Sequence, residues 1–290
     1  MIDTLTRLFA VSVQTGSMSN HPFDLLMELA TDQIRLDCAA LHLARDVFPG
    51  LNLEHYLSAL DELAQRVAAL RPGLAANLRY QAMREVLVGE CGLTGNRDAY
   101  YDPDNSFLNR VIDSRVGVPI SLSIVWVEVA RRLKWPVAGV ALPGHFIVRF
   151  DDRERFVLAD PFHDGRSLAV KDCRRLVRER FGDKMTFTTA LLEPADARAI
   201  LVRMLQNLRN IYLAQNDLPR VANILRRMAA VEPQNGRHLQ ELAAVYCRRG
   251  DVRGAYAHLA LYLRRSPHAH DSRRVRQNLQ LLQAALVALN

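Results

Sequence analysis

The chain has 290 residues, 49% hydrophobic and 24% charged, with a formal net charge of +7. That length allows two ordinary domains, each able to bury its own core, and the composition excludes a disordered or fibrous chain. Four cysteines lie far apart at positions 38, 91, 173 and 247, with no C-x-x-C pair and no metal-ligand cluster; this excludes a disulfide scaffold and fits a reduced, cytoplasmic protein.

Residues 1–20 are poorly patterned, which fits a disordered N-terminal segment, and Met18 is a candidate natural start. Asp3 and Arg7 interrupt any signal-peptide pattern. The most apolar stretch, 116–130, contains Ser121, Ser123 and Glu128, so no membrane span is expected. From residue 23 to 89 the pattern is helical. Ile34, Cys38 and Leu41 recur at helical spacing, which puts Cys38 in the core. Asn52 is a candidate N-cap for a helix whose stripe is Leu53, Leu57, Leu60, Ala64, Val67 and Leu70, stopped by Pro72-Gly73. A third helix is expected over 75–88. Cys91 lies in a loop with no basic neighbour in sequence and reads as structural.

The chain is organised around 105–165. A short helix is expected over 106–115. Gly117 and Pro119 open a longer one over 120–133, apolar all round and therefore buried. Ser121 and Ser123 fall in its first turn, where a hydroxyl is either a cap or a nucleophile favoured by the helix N-terminus. Strands follow at 137–142, 146–150 and 156–158, with Pro143-Gly144 as a break. If a four-residue loop at 151–154 joins the last two, Phe150 faces Arg155 and His145 faces Asp160. Such partners hold their Cβ atoms about 5 Å apart on one face. An imidazole and a carboxylate at that spacing form the base-and-orienter half of a Ser-His-Asp or Cys-His-Asp site. A capped turn would use the same residue types.

The segments Asn105-Ser-Phe-Leu-Asn, Gly117-Val-Pro-Ile-Ser-Leu-Ser, Pro143-Gly-His-Phe and Asp160-Pro-Phe resemble the bacterial SirB-type family. In that family a transglutaminase-like domain of the papain-like class precedes tetratricopeptide repeats. The resemblance spans about residues 30–290. It implies an α+β domain with His145 and Asp160 at the positions of base and orienter, and it implies no firm reaction. The slot of the nucleophilic cysteine falls on Pro119, which carries no nucleophile. Ser121, about half a helical turn on, is the nearest hydroxyl, and a serine needs far stronger base assistance than a thiol. The catalytic candidates are therefore Ser121, His145 and Asp160, with no cofactor and no metal expected. The favoured reading is a retained fold without turnover.

The second half repeats. Tyr212 and Tyr246, Asp217 and Asp251, Leu225 and Leu259, and Pro233 and Pro267 each hold the 34-residue tetratricopeptide period. Leu208 and Leu242 take the first-helix packing position, and Val221 and Ala255 the small-residue position. Two repeats at 202–235 and 236–269, then a capping helix at 272–288, are expected. The domain boundaries are set at 1–20, 21–195 and 196–290.

Charge separates the halves. Residues 197–290 hold 15 Arg, no Lys, two Glu and three Asp, while residues 1–196 carry a small net negative charge. An Arg-rich face attracts carboxylates and phosphates. No recognition helix, stacking aromatics or phosphate loop accompanies it, which disfavours nucleic acid. The expected partner is an acidic protein segment. Arg226, Arg227, Arg264 and Arg265 are expected to follow the repeat and form a ladder on one side. The overall reading is a non-catalytic protein-interaction or regulatory scaffold; its alternative is a papain-like-fold hydrolase or acyltransferase using Ser121, His145 and Asp160. Sequence sets no oligomeric state.

Overall fold

The computed structural model describes residues 21–153 and 155–288. The expectations for residues 1–20 and for Met18 fall outside that range. The described chain forms two compact units: one spans Glu28–Met204, and the other joins residues 21–27 to the segment from Leu205 onward.

The larger unit is α+β. Its strands are β1 (Thr94–Gly95), β2 (Val116–Gly117), β3 (Val137–Val140), β4 (Ile147–Asp151), β5 (Phe156–Asp160) and β6 (Arg166–Leu168). The last four make an antiparallel meander in the order β3-β4-β5-β6. The first two form a short parallel pair beside it. Neither that pair nor β6 was expected from sequence. Strands of two or three residues offer too little alternation to be seen.

The helix Pro119–Arg132 runs through the middle, as its all-apolar face requires. Ile120, Leu122, Ile124, Val125, Trp126, Val129 and Ala130 are all essentially inaccessible. It packs against helices Leu36–Ala44 and Leu53–Ala69 and against β3 and β4. Asn52 caps Leu53–Ala69 by accepting from the Glu54 amide at 3.1 Å. The expected third helix is α-helical only over Ala76–Arg84 and continues as a π-helical segment, Glu85–Glu90.

At its C-terminal end the central helix is tied by buried charge. Arg132 reaches the wholly buried Asp37 at 2.8 Å and Glu128 at 3.1 Å. Arg35 also pairs with Asp37, and Arg131 with Glu128. Burial and the nearby Asp37 push the Glu128 carboxyl up to about 7. Burial would raise Asp37 too, but its hydrogen bonds and charge pairing with Arg35 and Arg132 hold it well below the usual carboxylate range.

In the second unit, helices Leu218–Val231, Arg237–Arg248 and Val252–Arg265 follow the C-terminal half of Ala197–Ala214, and Ser272–Ala288 closes the array. Leu208, Leu242, Val221 and Ala255 are buried, as the 34-residue pattern requires. Asp217 and Asp251 are the N-caps of equivalent helices, accepting from the Arg220 amide at 3.0 Å and the Gly254 amide at 2.8 Å.

The arginine ladder is not formed. Arg226 and Arg264 are 38 residues apart rather than one repeat, so they do not occupy equivalent positions. Arg227 is nearly buried and pairs with Asp24 at 2.9 Å. Arg226 bonds Asn223 and the Tyr246 hydroxyl. Arg264 and Arg265 end their helix, exposed.

Candidate functional site

The base side of the site is built by a turn and a strand end. The His145 amide donates to the Leu142 carbonyl at 2.9 Å, closing a β-turn with Pro143 at its second position and Gly144 at its third. Gly144 has φ +75°, a conformation that glycine adopts without strain, and a Cβ there would lie 2.8 Å from Arg180 Cγ. The turn delivers His145 to the open end of the sheet.

The register differs from the expected one. Asp151 pairs with Phe156 and Val148 with Ala159, so the four-residue connection is 152–155 rather than 151–154. The Asp152 side chain accepts from the Arg155 amide, and the two backbones bond at 2.9 Å, which moves the loop one residue along. Continued beyond the ends of the paired strands, this register makes His145 and Asp160 diagonal neighbours rather than direct partners. A shift of two keeps both on the same face, and the imidazole is long enough to span the diagonal. His145 Nε2 lies 2.9 Å from Asp160 Oδ1.

Asp160 is wholly buried, and a second histidine serves it. His163 Nδ1 lies 2.7 Å from Asp160 Oδ2, and Arg166 Nη2 lies 3.4 Å from the same oxygen. Burial alone would raise this carboxyl. The hydrogen bonds and charge of His145 and His163 outweigh it and hold Asp160 below the usual carboxylate value. Both ring nitrogens facing the carboxylate must therefore donate. This leaves His145 Nδ1 for whatever approaches the site.

The sequence reading missed His163. Its signal was the spacing: Pro161–His163 is a 3₁₀ turn, and three residues per turn bring position 163 back over Asp160. Asp164 (φ 55°) and Gly165 (φ 63°) then reverse the chain. The Tyr80 hydroxyl donates to the Gly165 carbonyl, and Thr94 Oγ1 donates to Asp164 Oδ1, fixing that reversal.

The helix side is committed differently. Pro119 is the first residue of the central helix, and Val118 is its N-cap. Ser121 Oγ accepts from the Val118 amide at 3.1 Å and donates to the Asn105 carbonyl at 2.6 Å. Asn105 in turn orders the loop before it, through Ala99 and Asn96. Gly117 leaves room for this knot, since a Cβ there would sit 2.8 Å from Ser121 Oγ. Among the described residues no hydrogen bond joins Ser121 to His145. The fold thus unites His145 with Asp160 and engages the Ser121 hydroxyl elsewhere.

Residues 54–206 match the transglutaminase-like superfamily and residues 208–280 a tetratricopeptide repeat. A UPF0162 protein of Xylella fastidiosa is 35% identical over 252 residues, 86% of this chain and 90% of that protein. Protein SirB1 of Salmonella typhimurium is 21% identical over 280 residues, 96% of this chain and 99% of its own length. Human F-box only protein 21 is 31% identical over 138 residues, 45% of this chain and 21% of that protein.

Proposed function

The chain belongs to the transglutaminase-like superfamily, in the UPF0162 group that carries C-terminal tetratricopeptide repeats, and from that premise we propose that it is a scaffold without turnover of its own. The observation that carries this reading is the Ser121 hydroxyl, whose hydrogen is given to the Asn105 carbonyl rather than to an imidazole. A hydroxyl held that way is a helix-terminal knot, and the family resemblance puts the cysteine slot on Pro119.

Tetratricopeptide repeats generally mediate protein–protein contact, and the repeats are where this scaffold meets its partner. We expect an acidic protein segment. Arg264, Arg265 and Arg273 are exposed, and among the described residues no hydrogen bond or ion pair engages them. A cytoplasmic setting belongs to the same reading, supported by four free cysteines. Among the described residues no helix is long and apolar enough to cross a membrane.

Pull-down with the intact protein tests the surface. Replacing Arg264, Arg265 and Arg273 with Gln should lower partner recovery, and recovery from wild type should fall with salt, because exposed charges are screened beyond about 8 Å. Recovery unchanged by both treatments would reject this surface.

One observation favours the alternative, a Ser-His-Asp hydrolase or acyltransferase: His145 and Asp160 keep the bond an orienting pair needs. A serine-reactive probe decides. Labelling of wild type that disappears in Ser121→Ala would make the chain an enzyme. The scaffold reading expects no labelling.

A further inference from the structure

Asp160 holds more donors around it than an orienting carboxylate needs. One histidine suffices to align a base, yet here two imidazoles converge on opposite oxygens of one buried carboxylate. The donor atoms of His145, Asp160 and His163 all lie within 4.8 Å of one another. They come from three adjoining pieces of chain: the Pro143-Gly144 turn, the end of β5 and the 3₁₀ turn that follows it.

We propose that His145, Asp160 and His163 form a binding site for a divalent transition-metal ion, with Zn²⁺ the best fit. This does not depend on the scaffold reading, since an ion here could bind whether or not the domain turns anything over.

Two neutral imidazoles and one carboxylate are a donor set that suits zinc and its first-row neighbours, with further positions left for water. Ligands about 2.1 Å from such an ion sit roughly 3–3.5 Å apart. The 2.7 and 2.9 Å nitrogen–oxygen pairs must open slightly, and the widest pair must close. Side-chain torsions supply movements of this size. The path in is open on one side, because His163 is about one-third exposed while Asp160 is wholly buried.

The backbone beneath is held. Asp164 and Gly165 are both left-handed, and Thr94, Arg97 and Tyr80 bond this turn from outside. Phe162 packs its edge against His145 at 6.3 Å, and Gly95 allows the ring to approach, since a Cβ there would lie 2.4 Å from it. Arg166 is the opposing feature, a cation 3.4 Å from Asp160. Its side chain is nearly half exposed, so it can turn outward as an ion enters.

The proton balance is simple. A ring in its neutral form donates to Asp160 from the nitrogen that faces it. On binding, the proton moves to the other ring nitrogen and the facing lone pair goes to the metal. Neutral rings release no proton overall, and a protonated ring releases one.

The test uses the full chain after chelator treatment, titrated with Zn²⁺ by calorimetry and with Co²⁺ by visible absorption. One equivalent should bind, with a cobalt spectrum typical of nitrogen and oxygen ligands, and the melting temperature should rise on loading. Removing a partner that only orients a ligand already costs about 10–100-fold in affinity. His163→Ala and His145→Ala should therefore each weaken binding by about 100-fold or more. His163→Gln is the second variant should the alanine change disturb folding, which circular dichroism checks. No binding with metal well in excess of protein would overturn the proposal. So would binding undiminished by either histidine change, or thiolate charge-transfer bands, which would put the ion on cysteine.

Discussion

The two sides of the candidate site share one domain and have kept different things. On the sheet side, a turn and a 3₁₀ turn aim two imidazoles at a carboxylate set by a strand end. On the helix side, the Ser121 hydroxyl closes the helix N-terminus, bonded to Asn105 and Val118, with Gly117 making room. Groups that only hold structure are consumed by their neighbours. Groups with chemistry to offer keep an atom free, as His145 does with Nδ1. The contrast separates a residue's type from its availability.

The largest effect should come from the sheet side. Asp160→Ala removes the acceptor shared by His145, His163 and Arg166 and leaves them facing an apolar gap. We expect a loss of about 3 kcal/mol in urea unfolding near neutral pH. The folded carboxyl is held below its ordinary 3.8, so its contribution is present above that pH and fades as pH falls beneath it. A loss that does not shrink in acid would mean that the hydrogen bonds and charge of the histidines are not what stabilises the carboxylate.

Buried charge at the far end of the central helix provides an opposite sign. Glu128 is raised from 4.5 to about 7, so its folded state favours the proton. That preference is fully present below pH 4.5 and is lost as pH rises through 7. Glu128→Gln cannot ionise. It should gain on wild type by about 1–3 kcal/mol between pH 5 and pH 8. Denaturant midpoints at the two pH values measure this, and an equal difference at both would show that Glu128 does not titrate there.

Gly117→Ala probes the helix side through packing alone. The new methyl meets Ser121 Oγ at 2.8 Å and Val111 at 3.0 Å, and about 1–2 kcal/mol should be lost. The smallest effect is expected from Ser121→Ala. It removes one capping acceptor, while the Val118 amide keeps a bond to the Asn105 carbonyl at 3.2 Å. About 1 kcal/mol should go. A combined Gly117→Ala, Ser121→Ala chain should lose less than the two separate losses added together, because the second change removes the atom the first one strikes.

Some of this was legible in sequence and some was not, for physical reasons. The repeats were legible because one period governs caps and core alike, from Asp217 and Asp251 to Leu208 and Leu242. The central helix was legible because nothing but burial explains so apolar a run. The nearness of His145 and Asp160 survived a wrong register because a slip of two preserves the face. His163 was missed because a 3₁₀ turn brings back position i+3 in a stretch to which no element was assigned. A cap was one of two readings of Ser121, but the acceptor that commits its hydroxyl could not be read. Its acceptor is the backbone of Asn105, sixteen residues away, and a backbone carbonyl leaves no mark in a sequence. The arginine ladder failed for a plainer reason, a spacing of 38 that does not fit the period.

Arg227 and Asp24 carry a consequence for how the chain comes to be. They are 203 residues apart, yet they belong to one compact unit. On a ribosome adding about 5–20 residues per second, the Pro22–Leu26 segment waits roughly 10–40 s for its partner helix to be made. Until then Phe23 and Leu25, both wholly buried in the finished protein, have no repeat helix to cover them. The first-made described helix is therefore among the last to dock, and closing so long a loop is a slow, non-local step. A nascent chain halted before residue 218 would hold its opening segment in reach of any holdase that binds short apolar helices.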